Sequence, residues 1–197
     1  MTALSRRQLM SVTEYFQLCK EHPDTRYEYI DGYVTMLAGE TLNHAAIGAN
    51  MYSLLRNALR GRSCRAYTSD ACIQLSKERY VYPDATVTCN ERDQGQVDAI
   101  LYPHLVVEVF SPSTEDYDRG RKFTYYRNCS TIQEYVLINA MQASIEVCRR
   151  ERNDLWILQL FGPNDMVELV TLGIQFPVSA VYEGIVFSGP NDRNDPA

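Results

Sequence analysis

The sequence predicts one domain of mixed α/β (α+β) class, whose core elements follow the order α-β-β-β-α-β. The chain of 197 residues is 45% hydrophobic and 22% charged, which is typical of globular proteins and provides enough apolar material for one core. Apolar residues recur at helical spacing in some segments, whereas other segments are short β-rich runs. We expect one domain over residues 1–190 and a polar tail over residues 191–197.

A helix and a β-hairpin precede the predicted core. Residues 11–14 form a Ser-x-x-Glu capping box that begins an amphipathic helix, and His22-Pro23 ends it. The β-rich runs at residues 27–30 and 33–37 flank Asp31-Gly32, a dipeptide that type I′ turns prefer. These signals predict an amphipathic helix followed by a hairpin.

The core is predicted to begin with a long helix over residues 42–60, which Gly61 ends. Three strands follow, at residues 65–75, 80–89 and 104–110. A polar loop at residues 90–98 precedes the third strand. The order so far is therefore one helix and three strands.

The second half of the chain completes the core and extends it. Residues 111–114 are of the types that favour a turn and a helix N-cap, and the apolar spacing after them predicts a helix over residues 115–128. The pattern then predicts a strand at residues 134–140, two antiparallel strands at 144–150 and 155–161, and a short helix and strand within 178–187.

Composition excludes several classes of protein. No apolar run approaches the roughly 18 residues that cross a bilayer, and the first ten residues do not resemble a signal peptide. We therefore expect a cytoplasmic protein with no membrane partner. The net charge of −6 argues against non-specific coating of nucleic acid, which depends on Lys and Arg. Contact with DNA must be local, assisted by a metal or dependent on a dimer.

The cysteines are interpreted as buried free thiols. No pair has CxxC spacing, several cysteines lie in apolar runs, and the three histidines do not supply zinc-ligand spacing. The six are Cys19, Cys64, Cys72, Cys89, Cys129 and Cys148. This interpretation predicts neither disulfides nor a structural zinc ion.

Two acidic residues lie in predicted strands where a charge is unexpected. Glu108 is in the middle of an apolar strand, and Asp84 is at the entry of another. A buried carboxylate needs a cation, hydrogen bonds or water. Each acid alone is explained as well by a turn cap or an arginine pair, but together they are the oxygen donors that Mg²⁺ selects. Asp70 is a weaker candidate of the same kind.

The pattern of motifs resembles the PD-(D/E)XK nuclease superfamily, and within it the Uma-type restriction endonucleases. The motifs occur in the family's order over residues 11–140, and a weaker resemblance continues near the C-terminus. The motifs are Tyr27-Glu28-Tyr29-Ile30-Asp31-Gly32, His44 at the head of a long helix, Tyr82-Pro83-Asp84, Glu108-Val109-Phe110-Ser111-Pro112-Ser113-Thr114, Asp118-Arg119-Gly120-Arg121-Lys122 and Glu134-Tyr135. The resemblance implies a restriction-endonuclease-like core.

The resemblance also implies a set of site residues. Asp84, Glu108 and the carbonyl of Val109 would hold Mg²⁺, for which Mn²⁺ can substitute. Glu28 and His44 are further candidates for catalytic residues. Glu28 could equally be a charge on an edge strand, and His44 a histidine at a helix N-terminus with no role as a ligand.

The expected lysine is displaced. The superfamily places it two residues after the second acid, where this chain has Phe110. The resemblance places a lysine at Lys122, on the helix after the strand, and a helix packed on that strand could direct its amine to the acids. The alternative is a solvated lysine that pairs with Asp118 one helical turn earlier.

The resemblance implies a Mg²⁺-dependent endonuclease that hydrolyses DNA phosphodiester bonds. A homodimer would place two sites on the two strands. The alternative is a catalytically silent module on the same fold that binds nucleic acid or protein, and a third possibility is an enzyme acting on another phosphate-containing substrate. The residues identify neither a recognition sequence nor a partner methyltransferase.

Overall fold

The computed structural model describes residues 9–37, 39 and 41–187. The helices are α1 (Val12–Glu21), α2 (Leu42–Ala58), α3 (Glu115–Tyr117), α4 (Phe123–Asn128) and α5 (Val178–Val181), and a π-helical turn, Asp118–Lys122, joins α3 to α4. The strands are β1 (Tyr27–Ile30), β2 (Tyr33–Met36), β3 (Arg65–Thr68), β4 (Ile73–Ser76), β5 (Arg79–Val81), β6 (Ala85–Thr88), β7 (Pro103–Phe110), β8 (Glu134–Asn139), β9 (Ile145–Arg150), β10 (Trp156–Phe161), β11 (Met166–Leu169) and β12 (Ile174–Pro177). The predicted tail lies outside the described residues.

A six-stranded sheet with the order β10-β9-β8-β7-β6-β3 forms the centre of the fold. Its β7–β8 pair is parallel and its other pairs are antiparallel. Leu105 and Val107 of β7 belong to the same core as α2, whereas Val106 and Phe110 belong to the core that includes α4. Because both faces of β7 are covered, its sequence is a continuous apolar run. The sheet and its helices confirm the predicted α-β-β-β-α-β core and the fold class.

A second sheet has four strands in the order β2-β1-β5-β4, and α1 contacts its strand β1. Ser11 caps α1 through a complete capping box with Glu14, as predicted. The β1–β2 turn also forms as predicted: Asp31 and Gly32 have φ values of 50° and 89°, the left-handed values that a type I′ turn requires. Tyr15 of α1 packs on the aromatic rings of this sheet.

Two predicted strands are each divided in the structure. The segment over residues 65–75 breaks at a turn in which Ala71 N donates to Thr68 O, and its halves are β3 and β4 of different sheets. The segment over residues 80–89 breaks at Pro83, which lacks an N–H for a sheet ladder. The chain thus leaves the central sheet after β3 and returns at β6. Asp84 lies at that point of return.

The C-terminal prediction was wrong in two respects. The structure has a hairpin of β11 and β12, which was not predicted. Among the described residues up to Phe187, α5 is followed by a turn and no strand. The predicted helix over residues 115–128 forms as α3, the π-helical turn and α4.

Two of the six cysteines are not free thiols. Cys64 and Cys89 form a disulfide, with their Cα atoms 4.0 Å apart. The register of β3 on β6 pairs Arg65 with Thr88, and the next position places the two cysteines opposite each other. Sequence spacing does not show this register, so the prediction was wrong for this pair. Cys19, Cys72, Cys129 and Cys148 are free.

None of the helices in the described ranges combines the length with the apolar composition that a membrane span requires.

Candidate active site

Asp84 and Glu108 lie side by side on neighbouring strands. The antiparallel register of β6 and β7 pairs Ala85 with Val107, so the adjoining position brings Asp84 opposite Glu108. Asp84 Oδ2 accepts a hydrogen bond from the backbone N–H of Val109, with an N···O distance of 2.7 Å. The two acids that the sequence singled out are therefore neighbours near the end of β7.

Lys122 reaches the same place from the helical segment. Its Nζ is 2.8 Å from Glu108 Oε1, 3.4 Å from Glu28 Oε1 and 4.0 Å from Asp118 Oδ1. The side chain is only 9% exposed, so it is not the solvated lysine of the alternative interpretation. Its nearest acid is Glu108 rather than Asp118. The structure thus brings Lys122 together with Glu108 and Glu28.

The π-helical turn explains how the lysine is presented. Asp118 and Lys122 begin and end this turn, and both are buried. Single π-helical turns inside helices occur frequently at functional sites. Phe110, at the position where the superfamily has its lysine, is buried in the core beside α4, with the Arg119 guanidinium 4.7 Å from its ring centroid. Phe110 therefore packs the core, and Lys122 supplies the cation.

Two further side chains hold the acids in place. Tyr126, on α4, donates a hydrogen bond through its hydroxyl to Glu108 Oε1. Glu28, on β1, accepts a hydrogen bond from the backbone N–H of Tyr82 at 3.3 Å in addition to its pairing with Lys122. Sequence reasoning missed the role of Tyr126, because its helical spacing indicated only a core or groove position. Glu28 connects the four-stranded sheet to the site.

His44 lies beside Asp84 and the carbonyl of Val109. It lies in the first turn of α2, where Thr41 caps its backbone N–H, and it is 7% exposed. Its Nε2 is 2.7 Å from the carbonyl oxygen of Val109 and 3.5 Å from Asp84 Oδ2. Nε2–H donating to this carbonyl fixes the tautomer. His44 thus contacts two of the three predicted metal ligands.

Burial and crowding of like charges perturb the acids. Burial raises the pKa of Glu108 to about 8; Lys122 opposes this rise, whereas Asp84, Asp118 and Glu28 add to it. Burial also raises the pKa of Asp118. Burial alone would lower the pKa of Lys122, but the surrounding carboxylates, led by Glu108, raise it well above its ordinary value. The site is therefore one cation surrounded by an excess of carboxylates.

The acids lie at the floor of a cleft of about 530 Å³. Its walls come from α2, from the β1–β2 hairpin, from the end of β3, from the segment before β6, from the end of β7, and from α3 with the π-helical turn. The residues that line it beside the acids include Arg26, Thr35, Tyr52, Tyr82, Tyr117 and Ser69. A substrate could therefore approach Asp84 and Glu108 from this side.

The donor set fits Mg²⁺ better than zinc. Within the described ranges, no group of three or more His, Cys, Asp or Glu side chains is arranged to hold a metal ion. Mg²⁺ needs only one or two carboxylates, because water and substrate oxygens complete its octahedron. Asp84, Glu108 and the Val109 carbonyl, all lining the cleft, are oxygen donors of this kind. The residues present are compatible with the predicted Mg²⁺.

Comparison with known proteins identifies the family of this chain. The profile of the Uma2 family, described as "Putative restriction endonuclease", matches residues 12–179. The chain belongs to the Uma2 family. A nuclease is therefore the activity that the family description supports.

Other proteins resemble this member of the Uma2 family over most of its length. The Synechocystis sp. protein slr1290 is 36% identical over 179 residues, which cover 90% of this chain and 94% of slr1290. The Synechocystis sp. protein sll1609 is 30% identical over 173 residues, which cover 85% of this chain and 97% of sll1609. A crystal structure from Anabaena variabilis, described as "a putative nuclease belonging to DUF820", has a TM-score of 0.72 at 16% identity and covers 88% of this chain and 98% of its own. This structural likeness shows a shared fold.

Proposed function

We propose that this Uma2 protein is a Mg²⁺-dependent endonuclease that hydrolyses DNA phosphodiester bonds at the cleft floor. One observation carries the proposal: the Lys122 amine lies 2.8 Å from Glu108 while Asp84 occupies the neighbouring strand position. Two carboxylates and a lysine from a strand pair and the following helix are the parts that the family resemblance requires. Phe110 does not prevent this arrangement, because Lys122 takes the place of the missing lysine.

Asp84, Glu108 and the Val109 carbonyl would hold the metal. When bound, Mg²⁺ supplies Lewis acidity at the phosphate and activates water for attack. Tyr126 and Lys122 both reach Oε1 of Glu108, so neither donor occupies Oε2. The Val109 N–H holds Asp84, and His44 holds the Val109 carbonyl. Each proposed ligand is thus oriented by a neighbouring group, as metal ligands usually are.

Lys122 has a different task in this proposal. Charge accumulates on the phosphate oxygens in the transition state, and a fixed cation contributes most where that charge develops. Lys122 stays protonated because three carboxylates face its amine. Its position is fixed by burial before substrate arrives, so little reorganisation is needed. Glu28 contributes by holding Lys122 rather than by touching the metal.

A homodimer is the assembly we expect if both strands of a duplex are to be cut, because that requires two sites and C₂ dimers are the commonest oligomers. Light scattering on the purified protein measures this directly. A strict monomer that nicks only one strand would overturn the dimer and leave the nuclease proposal in place.

Phe110 favours a second candidate, the silent module that binds nucleic acid or protein on the same fold. A cleavage assay separates the two. The wild type should convert negatively supercoiled plasmid, which contains locally unpaired segments, to nicked or linear DNA with Mg²⁺ and not with EDTA. Asp84→Asn, which keeps an oxygen to accept from Val109, should abolish this, and Asp98→Asn, in an exposed loop, should not. Equal behaviour of wild type and Asp84→Asn would support the silent module.

A further inference from the structure

The groups that would act on phosphate are recessed. The side chains of Glu108 and Lys122 are 5% and 9% exposed, and that of Asp84, the most accessible of the three, is 18% exposed. A phosphate that stays at the outer surface of the protein cannot reach these three side chains. The reacting phosphate must therefore enter the cleft.

The cleft is small. Its volume of about 530 Å³ lies within the range of small-molecule sites. A single strand that bends at one phosphate can place a phosphate and its flanking sugar in such a space. In a base-paired duplex, each phosphate is held on a rigid helix beside its neighbours. Depth and size together favour a flexible strand.

The charge of the cleft also disfavours duplex DNA. Duplex binding depends on many Lys and Arg residues that neutralise successive phosphates. Among the described residues that line the cleft, the Lys and Arg residues are Lys122 and Arg26, and Lys122 is already surrounded by carboxylates. Arg26, with its side chain 43% exposed, donates to the carbonyl and hydroxyl oxygens of Ser69, and its Nη1 lies 3.4 Å from the exposed carboxylate of Asp70, which a phosphate would have to displace. One accessible arginine can meet one flanking phosphate but not a row of them.

Aromatic rings compensate for the scarcity of cations. Tyr52 on α2, Tyr82 before β6 and Tyr117 on α3 line the cleft, and all three are partly exposed. They come from three separate segments of the chain, and Asp84 and Glu108 line the same cleft. Base stacking on aromatic side chains is how proteins hold single strands, because every base has a π-face but only unpaired bases expose it.

We propose that the cleft binds an unpaired DNA strand, with bases stacked on Tyr52 and Tyr117 and a flanking phosphate at Arg26. The inference rests on the proposed nuclease function for the identity of the polymer. It adds the state of the substrate: single-stranded, flapped or locally unpaired rather than fully paired.

Binding and cleavage are measured separately on one fluorescein-labelled sequence in three forms: single strand, blunt duplex, and duplex with an unpaired flap. Fluorescence anisotropy with Ca²⁺ in place of Mg²⁺ reports binding, and gels with Mg²⁺ report cleavage. We expect the single strand and the flap to bind at least about tenfold more tightly than the blunt duplex, and cuts to fall in unpaired DNA.

The outcomes distinguish this inference from the proposed function. Equal or tighter binding and equal cutting of the blunt duplex would overturn the inference and leave the nuclease proposal intact. Preferential binding of unpaired DNA with no cutting would support the inference and overturn the nuclease proposal. Failure to bind any of the three forms would overturn both.

Variants test the stacking itself. Tyr52→Ala and Tyr117→Ala should each weaken single-strand binding about tenfold, and Tyr52→Phe and Tyr117→Phe should not. Tyr52→Leu keeps apolar volume without an aromatic face, so it replaces Tyr52→Ala if that variant unfolds. Tyr102→Ala, at the opposite end of β7 in contact with Arg92, is the matched control. Wild-type binding by the folded Ala or Leu variants would overturn the proposal.

Discussion

The Lys122 ammonium and the Glu108 carboxylate form an ion pair of 2.8 Å beneath the surface of the protein. The pair joins β7, one of the two central strands of the sheet, to the π-helical turn that follows it. Breaking such a buried pair by removing one partner leaves the other charge uncompensated. The stability of the fold and the proposed chemistry therefore depend on the same contact.

Lys122→Met tests both consequences. It removes the cation from Glu108, Glu28 and Asp118, so the free energy of unfolding should fall by about 3–5 kcal/mol above pH 8, where Glu108 is ionised, and by less at neutral pH, where Glu108 is largely protonated. Cleavage should fall about 10²–10³-fold, as when one fixed donor to a transition-state charge is lost. Urea denaturation and initial cleavage rates measure these effects. Lys77→Met, at an exposed turn, should change neither, and wild-type cleavage by Lys122→Met would exclude the lysine from the mechanism.

The pH dependence of stability tests the environment of Glu108. Its pKa of about 8 lies above the ordinary value of 4.5 that applies in the unfolded chain. The folded state holds this proton more tightly, so its contribution to stability is present below the ordinary value and is lost as pH rises through about 8. In EDTA, the free energy of unfolding of the wild type should fall over this window relative to that of Glu108→Gln. Parallel pH profiles of the two proteins would contradict the shift.

His44→Phe tests whether the histidine orients the proposed ligands. The ring volume is kept, but the donor to the Val109 carbonyl is lost. Removing such a partner of a metal ligand typically reduces metal affinity by about 10–100-fold. Calorimetric titration with Mn²⁺ measures this, and His22→Phe, on an exposed residue at the end of α1, is the control. Unchanged affinity would restore the interpretation of His44 as a helix-terminal residue with no role at the site.

The Cys64–Cys89 disulfide should stabilise the fold through the loop it closes. For a sequence separation of 25 residues, a cross-link typically contributes about 2–4 kcal/mol by restricting the unfolded chain. The double variant Cys64→Ser/Cys89→Ser should therefore unfold at lower urea concentration, whereas Cys19→Ser should not. No difference between oxidised and reduced wild type would show that the bond contributes little.

The sequence predicted those parts of the site that depend on local pattern. Glu108 could be singled out because a carboxylate in the middle of an apolar strand is unusual, and Lys122 because the helix that carries it directly follows that strand. Neither inference needed the register between strands.

What the sequence did not predict depends on register and on long-range contacts. Tyr126 faces Glu108 because α4 packs on β7, and helical spacing alone does not choose between the sheet and solvent. The break at Pro83 transfers the chain between two sheets, and the pairing of Cys64 with Cys89 follows from the register of β3 on β6. None of these can be derived from the residues of one element.

We propose that Asp84, Glu108 and the Val109 carbonyl form a metal site, and a crystal soaked in Mn²⁺ would show whether they bind the ion. We expect an anomalous density peak within coordination distance of these three groups, and no peak at that place in Asp84→Asn crystals. Well-diffracting wild-type crystals that show no such peak at millimolar Mn²⁺ would contradict the account.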